Sequence, residues 1–331
     1  MGIKDLNKFI KTFTPKAIKQ VPISNYKGKT LAVDTSIFLY KFKYSNKLID
    51  SFFQQYYHFK KEGVDLIYVF DGKPPEEKEY VLNNRKNTKE KQISKIEELK
   101  NKIENTSVDN LEEKKKLKKQ LSEAQRRYIN ITQEDIDNVK KLFDKIGAKY
   151  IHYESEADPI CCDLYKKNIV QGCISNDMDF LPTGAGILIR NYNLGNMVDE
   201  YNLDIILQES GMDLNKFIDF CILCGCDYTC KIPRLGFVTA FKSLQQYDNI
   251  ENIIEELCIK QEKFKMPTNF KYEIARKLLK NENNIKDSYQ INNNTFTKES
   301  NSEIIKFLSN MTNYSEIHIM NRIKIIFNNI K

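Results

Sequence analysis

Seven acidic residues stand where side chains could share a metal ion: Asp34, Asp71, Glu154, Glu156, Asp177, Asp179 and Asp227. Asp34 ends the apolar run Leu31-Ala32-Val33, and Asp71 ends Leu66-Ile67-Tyr68-Val69-Phe70. Glu154 and Glu156 follow Tyr150-Ile151-His152-Tyr153, and Asp177 and Asp179 follow Gly172-Cys173-Ile174-Ser175. Short β-branched and aromatic runs separated by helical stretches read as buried strands of a parallel sheet. Ligands of such a sheet bind beyond the carboxyl ends of its strands. Four strands would thus carry six carboxylates to one edge. That much negative charge in one cleft calls for cations, and an all-oxygen donor set suits Mg²⁺ or Mn²⁺. A lone Asp after a strand also suits a helix cap or a turn, as Asp34 before Thr35-Ser36 and Asp71 in Asp-Gly-Lys-Pro-Pro illustrate. The paired patterns Glu154-x-Glu156 and Asp177-x-Asp179 fit capping less well.

Other chemistries find little support. Cys221, Cys224, Cys226 and Cys230 have the spacing C-x2-C-x-C-x3-C, which fits no common zinc template. Phe217, Phe220, Cys221 and Cys224 fall on one helical face, so core packing is expected there. The three histidines, 58, 152 and 318, are scattered. Eight cysteines, several in apolar runs, with no signal peptide and no stretch of membrane length, suggest free thiols in a reducing, intracellular setting.

The elements that must position these groups follow from periodicity. The chain has 331 residues, 41% of them hydrophobic, enough for one large domain or two. Residues 1–75 read as the first βα units. Residues 76–131 carry Ile93, Ile96, Leu99 and Ile103, then Leu117, Leu121, Ala124 and Tyr128, at helical spacing. They predict two helices with a break near 105–110, a hairpin projecting from the sheet. Residues 78–127 hold fifteen Lys or Arg against nine Asp or Glu, nearly all of the net charge of +7. A basic stretch of this kind is either a solvated helix pair or a footprint for a polyanion; beside a carboxylate cluster, a phosphodiester substrate explains both. Thr132-x-x-Asp135 opens a helix with a capping-box start that runs to Gly147. Residues 132–245 return to the sheet and end in a tight turn at 232–240. Residues 246–331 look helical, with a polar Asn-rich loop around 281–301.

The blocks Met1-Gly2-Ile3-Lys4-Asp5-Leu6, Ala32-Val33-Asp34-Thr35-Ser36 and Tyr68-Val69-Phe70-Asp71-Gly72-Lys73-Pro74-Pro75 resemble the N-terminal part of the flap endonuclease family, the XPG-like structure-specific 5′ nucleases. Glu154-Ser155-Glu156-Ala157-Asp158, Ser175-Asn176-Asp177-Met178-Asp179-Phe180 and Gly225-Cys226-Asp227-Tyr228 resemble its internal blocks, in order over roughly residues 1–245. The resemblance implies an α/β fold with a mostly parallel central sheet flanked by helices, an inserted helical arch over 76–131, a helix–two-turn–helix at about 225–245, and a helical C-terminal part. It implies two Mg²⁺ (or Mn²⁺) sites. Asp34, Asp71, Glu154 and Glu156 would hold one ion, and Glu156, Asp177, Asp179 and Asp227 the other. It makes Lys78 and Arg85, two helical turns apart, catalytic cations for the scissile phosphate. Tyr40 would stack on a base, and Arg126 and Arg127 would contact phosphates at the hairpin's exit. In the helix–two-turn–helix, Gly236 and the helix start behind it would meet the uncut duplex, with a K⁺ ion.

The chain departs from the family pattern in three places. The usual Gly-x-Gly reads Arg234-Leu235-Gly236, which leaves the K⁺ site open and makes Arg234 a candidate phosphate contact. The stretch from Tyr40 to Asp71 is short, so selectivity for a 3′ flap is open. The C-terminus has no Gln-x-x-aliphatic-x-x-aromatic-aromatic box for a sliding clamp. Heavy Asn, Ile and Lys usage suggests an AT-rich genome, of a large DNA virus or a protist. The expected activity is cleavage of 5′-flap or branched DNA near the single-strand/double-strand junction, by a monomer, in the nucleus or at a cytoplasmic viral replication site. The competing readings are a four-way-junction resolvase, a 5′→3′ exonuclease, a non-catalytic DNA-binding protein and an exoribonuclease.

Overall fold

The structure is a computed structural model that describes residues 2–106, 110–281, 289–292 and 301–328. The tip of the expected helical break and most of the Asn-rich loop lie outside these residues, as do the side chains of Arg85, Arg126 and Arg127.

Seven strands form one sheet: β1 (Ile18–Pro22), β2 (Thr30–Asp34), β3 (Asp65–Phe70), β4 (Lys149–His152), β5 (Cys173–Ile174), β6 (Ile187–Arg190) and β7 (Met197–Asn202). Their order is β1-β7-β6-β5-β2-β3-β4. From β6 through β4 all neighbours are parallel, while β7 runs antiparallel to both β6 and β1. The mostly parallel α/β expectation holds, and the antiparallel edge was not anticipated.

β2 and β3 bury every residue after their first, as continuous apolar strands do when both faces are covered. Alternate residues feed two cores. Ala32, Ile67, Val69 and Ile151 face a core with the N-terminal helix Leu6–Phe13 and helices Ala157–Lys166, Leu214–Cys224 and Phe237–Tyr247. Leu31, Val33, Tyr68, Phe70 and Tyr150 face the other, with helices Thr35–Tyr44, Leu48–Lys61 and Gln133–Ile146. There the Tyr68 ring stacks on Phe143 at 4.1 Å between centroids. Phe217, Phe220, Cys221 and Cys224 are all buried in the first core, as expected.

Two helices, Glu79–Asn105 and Leu111–Arg127, form the hairpin between β3 and β4. Ile96 and Leu99 are buried between them, and most of the remaining described surface is exposed. Lys89 ties the root of the hairpin: its Nζ donates to Asn130 Oδ1 at 2.7 Å and lies 5.6 Å from the Tyr128 ring centroid. The chain then enters helix Gln133–Ile146 through the expected box. Thr132 Oγ1 accepts from Asp135 N, and Asp135 Oδ2 accepts from Thr132 N.

The C-terminal helices divide between the faces. Tyr272–Lys280 packs on Leu214–Cys224, whereas Asn301–Met311 and Glu316–Asn328 pack on Leu48–Lys61. Residues 261–271 are largely irregular rather than helical. Among the described residues no helix is long and apolar enough to cross a membrane.

Candidate active site

β5, β2, β3 and β4 are consecutive in the sheet and parallel, so their carboxyl ends open on one edge. Asp34 is the last residue of β2 and pairs with Val69. Asp71 follows β3 directly, Glu154 and Glu156 follow β4, and Asp177 and Asp179 follow β5. Asp34 does two jobs. Its Oδ1 accepts from Ile37 N at 3.4 Å, capping helix Thr35–Tyr44, while its Oδ2 accepts from Ser175 Oγ at 2.8 Å. The turn after β5 is built on its own acids. Asp177 N donates to Ser175 Oγ at 3.0 Å, and Asp179 N donates to Asp177 Oδ1 at 3.1 Å.

The N-terminal segment closes over this turn. Ile3 N donates to Asp179 Oδ1 at 2.8 Å. Gly2 adopts φ +80°, and a Cβ there would stand 2.0 Å from Asp177 Oδ1 and 2.2 Å from Asp179 Oδ1, so only glycine fits. Asp71 Oδ1 accepts from Ala157 N at 2.7 Å, at the first turn of helix Ala157–Lys166. Gly72 N donates to Ser155 O and Lys73 N to Glu154 O, which ties the segment after β3 to the segment after β4.

Charge repulsion marks the cluster. Burial, then Asp71 and Asp177, push Asp34 up to about 8, against the Ser175 hydrogen bond. Burial, then Asp177, raise Asp179 well above the ordinary carboxyl value, with Asp227 adding to it. Burial also raises Glu156, against the pull of Lys78 and with Asp71 and Asp227 adding to it. Asp158 belongs to the same cluster: burial, then Asp34 and Asp177, raise it strongly. Sequence reasoning gave Asp158 no role, although it continues the alternation of Glu154 and Glu156. Glu154 is exposed.

Among the described residues no three of these groups converge as a ready-made cage. The donor chemistry nonetheless fits a hard divalent cation: the groups are carboxylates only, and burial together with neighbouring acids raises Asp34, Glu156, Asp158 and Asp179. Asp34, Asp71, Glu154, Glu156, Asp177, Asp179 and Asp227, joined by Asp158, are the residues that would hold it.

Lys78 is buried at 7% exposure, and its Nζ contacts Glu156 Oε1 at 2.7 Å. Burial alone would lower its pKa, but Glu156, Asp158 and Asp179 outweigh it and raise it. Pairing by itself would lower Glu156, yet both partners are raised. The short contact is that of an ionised pair, and the rise at Glu156 reflects its burial and its acidic neighbours. Arg85 lies two turns along helix Glu79–Asn105. Tyr40 is 52% exposed on helix Thr35–Tyr44, so it is no core residue. Arg234 takes φ +65°, the conformation that glycine would adopt without strain. Gly236 is the N-cap of helix Phe237–Tyr247.

Known proteins match this arrangement. The pattern described as XPG N-terminal domain covers residues 1–92, and the XPG I-region covers residues 147–227. Flap endonuclease 1 of Entamoeba histolytica is 35% identical over 298 aligned positions, spanning 84% of this chain and 75% of its own length. Flap endonuclease 1 of Plasmodium falciparum is 34% identical over 356 positions, spanning 98% of this chain and 52% of its own. Among solved structures, flap endonuclease-1 from Methanococcus jannaschii superposes with a TM-score of 0.66 at 21% identity, covering 97% of this chain and 98% of that one. The catalytic core of Rad2 in complex with DNA substrate superposes at 0.70 with 18% identity, covering 99% of this chain and 100% of that one. Identity of this extent, running through both matched blocks and the acidic sheet edge they encode, makes the chain a member of the flap endonuclease, or XPG-like, family.

Proposed function

We propose that this protein is a metal-dependent, structure-specific 5′ nuclease that hydrolyses a phosphodiester of 5′-flap or branched DNA near the single-strand/double-strand junction. One observation carries the reading: the crowded carboxylates at the edge of β5-β2-β3-β4 surround a buried lysine at the root of a basic helical hairpin.

Two Mg²⁺ ions bound by the carboxylates would supply the positive charge that polarises the phosphate, eases deprotonation of the attacking water and stabilises the leaving oxygen. The protein's own groups do the rest. Asp34 is fixed by Ser175, Asp71 by Ala157 N and Asp179 by Ile3 N, so the donor set is held before substrate arrives. Lys78, one residue before the first hairpin helix, and Arg85, within it, meet the scissile phosphate, and the hairpin encloses the 5′ strand. Tyr40 offers a ring face to a base, Arg126 and Arg127 contact phosphates, and Arg234 with the helix start at Gly236 grips the uncut duplex. The products would be 5′-phosphate and 3′-hydroxyl ends. A K⁺ ion in the turn before Gly236, action as a monomer and a role in DNA replication, repair or recombination complete the reading.

The deciding experiment measures Mg²⁺-dependent cleavage of a labelled 5′ flap, a nicked duplex, a four-way junction and single-stranded RNA side by side. Fastest cutting of the flap is expected. Fastest cutting of the junction makes the protein a resolvase, of the nick an exonuclease, and of RNA an exoribonuclease. No cutting of any substrate rejects catalysis.

A further inference from the structure

Lys78 presents a physical problem. A lysine ammonium is strongly hydrated and sits on a flexible four-carbon stem, yet this one is buried. Glu156 Oε1 supplies one partner at 2.7 Å. The other is an aromatic face: Nζ lies 4.9 Å from the ring centroid of Tyr228. Tyr228 also reaches the other half of the ion pair, with its hydroxyl 3.5 Å from Glu156 Oε2. One tyrosine therefore touches both the ammonium and the carboxylate that pairs with it.

The ring is held firmly enough to do this. Tyr228 follows Asp227 in the turn after helix Leu214–Cys224. On one side, Lys4 N donates to Gly225 O at 3.0 Å. On the other, Thr229 Oγ1 donates to Asn269 O at 3.3 Å and accepts from Lys271 N at 2.7 Å. The ring itself packs against the first core. The lysine, by contrast, stands one residue before helix Glu79–Asn105, at the root of a largely exposed hairpin. Lys78, Glu156 and Tyr228 thus come from three separate segments.

We propose that Tyr228 is a positioning residue of the nuclease: its ring face holds the Lys78 ammonium at the carboxylate cluster. This rests on the reading of Lys78 as the cation that meets the scissile phosphate. A filled cation–π contact in a desolvated site is worth a rate factor of about 10 to 30 if it is lost from the reacting geometry.

The test is a double-mutant cycle read by single-turnover cleavage of a 5′ flap in Mg²⁺, with DNA affinity measured in Ca²⁺. Tyr228→Leu should slow cleavage about 10- to 30-fold with DNA affinity unchanged, and Tyr228→Phe, which keeps the ring face, should restore most of the rate. In a Lys78→Ala background, Tyr228→Leu should cost almost nothing further, because the group it positions is gone. Equal slowing in both backgrounds, or a Phe variant as slow as the Leu variant, overturns the inference and leaves Tyr228 as core filler. Slow Lys78→Ala beside full-rate Tyr228→Leu overturns this inference alone. Full-rate Lys78→Ala overturns the reading of Lys78 and the inference with it. Should Tyr228→Leu fail to fold, singly to triply fluorinated phenylalanines at position 228 keep the shape while weakening the negative ring face. The rate should fall with each fluorine, and a flat series overturns the proposal.

Discussion

Ser175 Oγ donates to Asp34 Oδ2 at 2.8 Å and joins the carboxyl ends of two neighbouring strands. The same hydroxyl accepts from Asp177 N, so one serine fixes an acid on β2 and the turn that carries two more. Ser175→Ala leaves a buried carboxylate short of a donor. It should destabilise the metal-free protein by about 1–3 kcal/mol and weaken Mg²⁺ binding. Denaturant melts in EDTA and titration calorimetry check this. Unchanged values for both would mean that the turn is held elsewhere.

Asp158 sits among like charges with burial against it. Asp158→Asn keeps its shape and removes the ionisable group. In EDTA near neutral pH the variant should be more stable than the parent, because the folded site no longer has to hold a proton that the unfolded chain gives up. In Mg²⁺ it should bind the ion about 10- to 100-fold more weakly. A variant that is less stable in EDTA argues that Asp158 is structural.

Asp34 lies at about 8 in the folded chain against an ordinary value of 3.8. Between those values the folded protein keeps a proton that the unfolded chain has lost. Stability without metal should therefore fall as pH rises from about 4 to about 8. Divalent cations neutralise the same groups, so the rise in Tm on adding Mg²⁺ should be larger at pH 8 than at pH 5.5. Thermal melts at the two pH values decide it, and a larger rise at pH 5.5 sinks the cluster's assignment to metal.

Arg234 occupies a left-handed conformation. Arg234→Gly should raise stability by roughly 1 kcal/mol and still lower affinity for duplex-bearing substrates, with the slope of log K against log salt reduced by about 1. A stabilised variant with unaltered salt dependence would remove Arg234 from the DNA surface.

Tyr40 is half exposed and supports no core. Tyr40→Ala should leave Tm almost unchanged and cost roughly 1–3 kcal/mol of flap binding or transition-state stabilisation, the worth of one stacked base. A large drop in Tm with normal cleavage would reverse the assignment.

Much of this site was legible because strand ends announce themselves. An apolar run that stops at Asp34 or Asp71 has a definite edge, and parallel strands send those edges one way. The hairpin was legible from the spacing of residues such as Ile96 and Leu99. Burial of Lys78 was not, because a lysine among Lys and Glu residues reads as solvated until its partners from distant segments are known. Asp158, in the first turn of its helix, reads as an ordinary acid at a helix start. Tyr228 stands in the block Gly225-Cys226-Asp227-Tyr228, but nothing in that block shows that its ring meets Lys78 and Glu156. The final helices had the right period, but period does not say which face of a sheet a helix will cover. The antiparallel edge, in which β7 lies between β6 and β1, joins β1 to a strand far along the chain, so no local pattern announces it.

The hairpin departs and returns within a single crossover between β3 and β4, which the helix Gln133–Ile146 would complete by itself. Its two legs are fastened together at the root by Lys89 and Asn130. The excursion is thus a detachable module. Lengthening or trimming it beyond Arg85 should leave the register of Phe70 with His152 in place, so the choice of nucleic acid can be edited in one insertion while the carboxylates at the strand ends stay as they are.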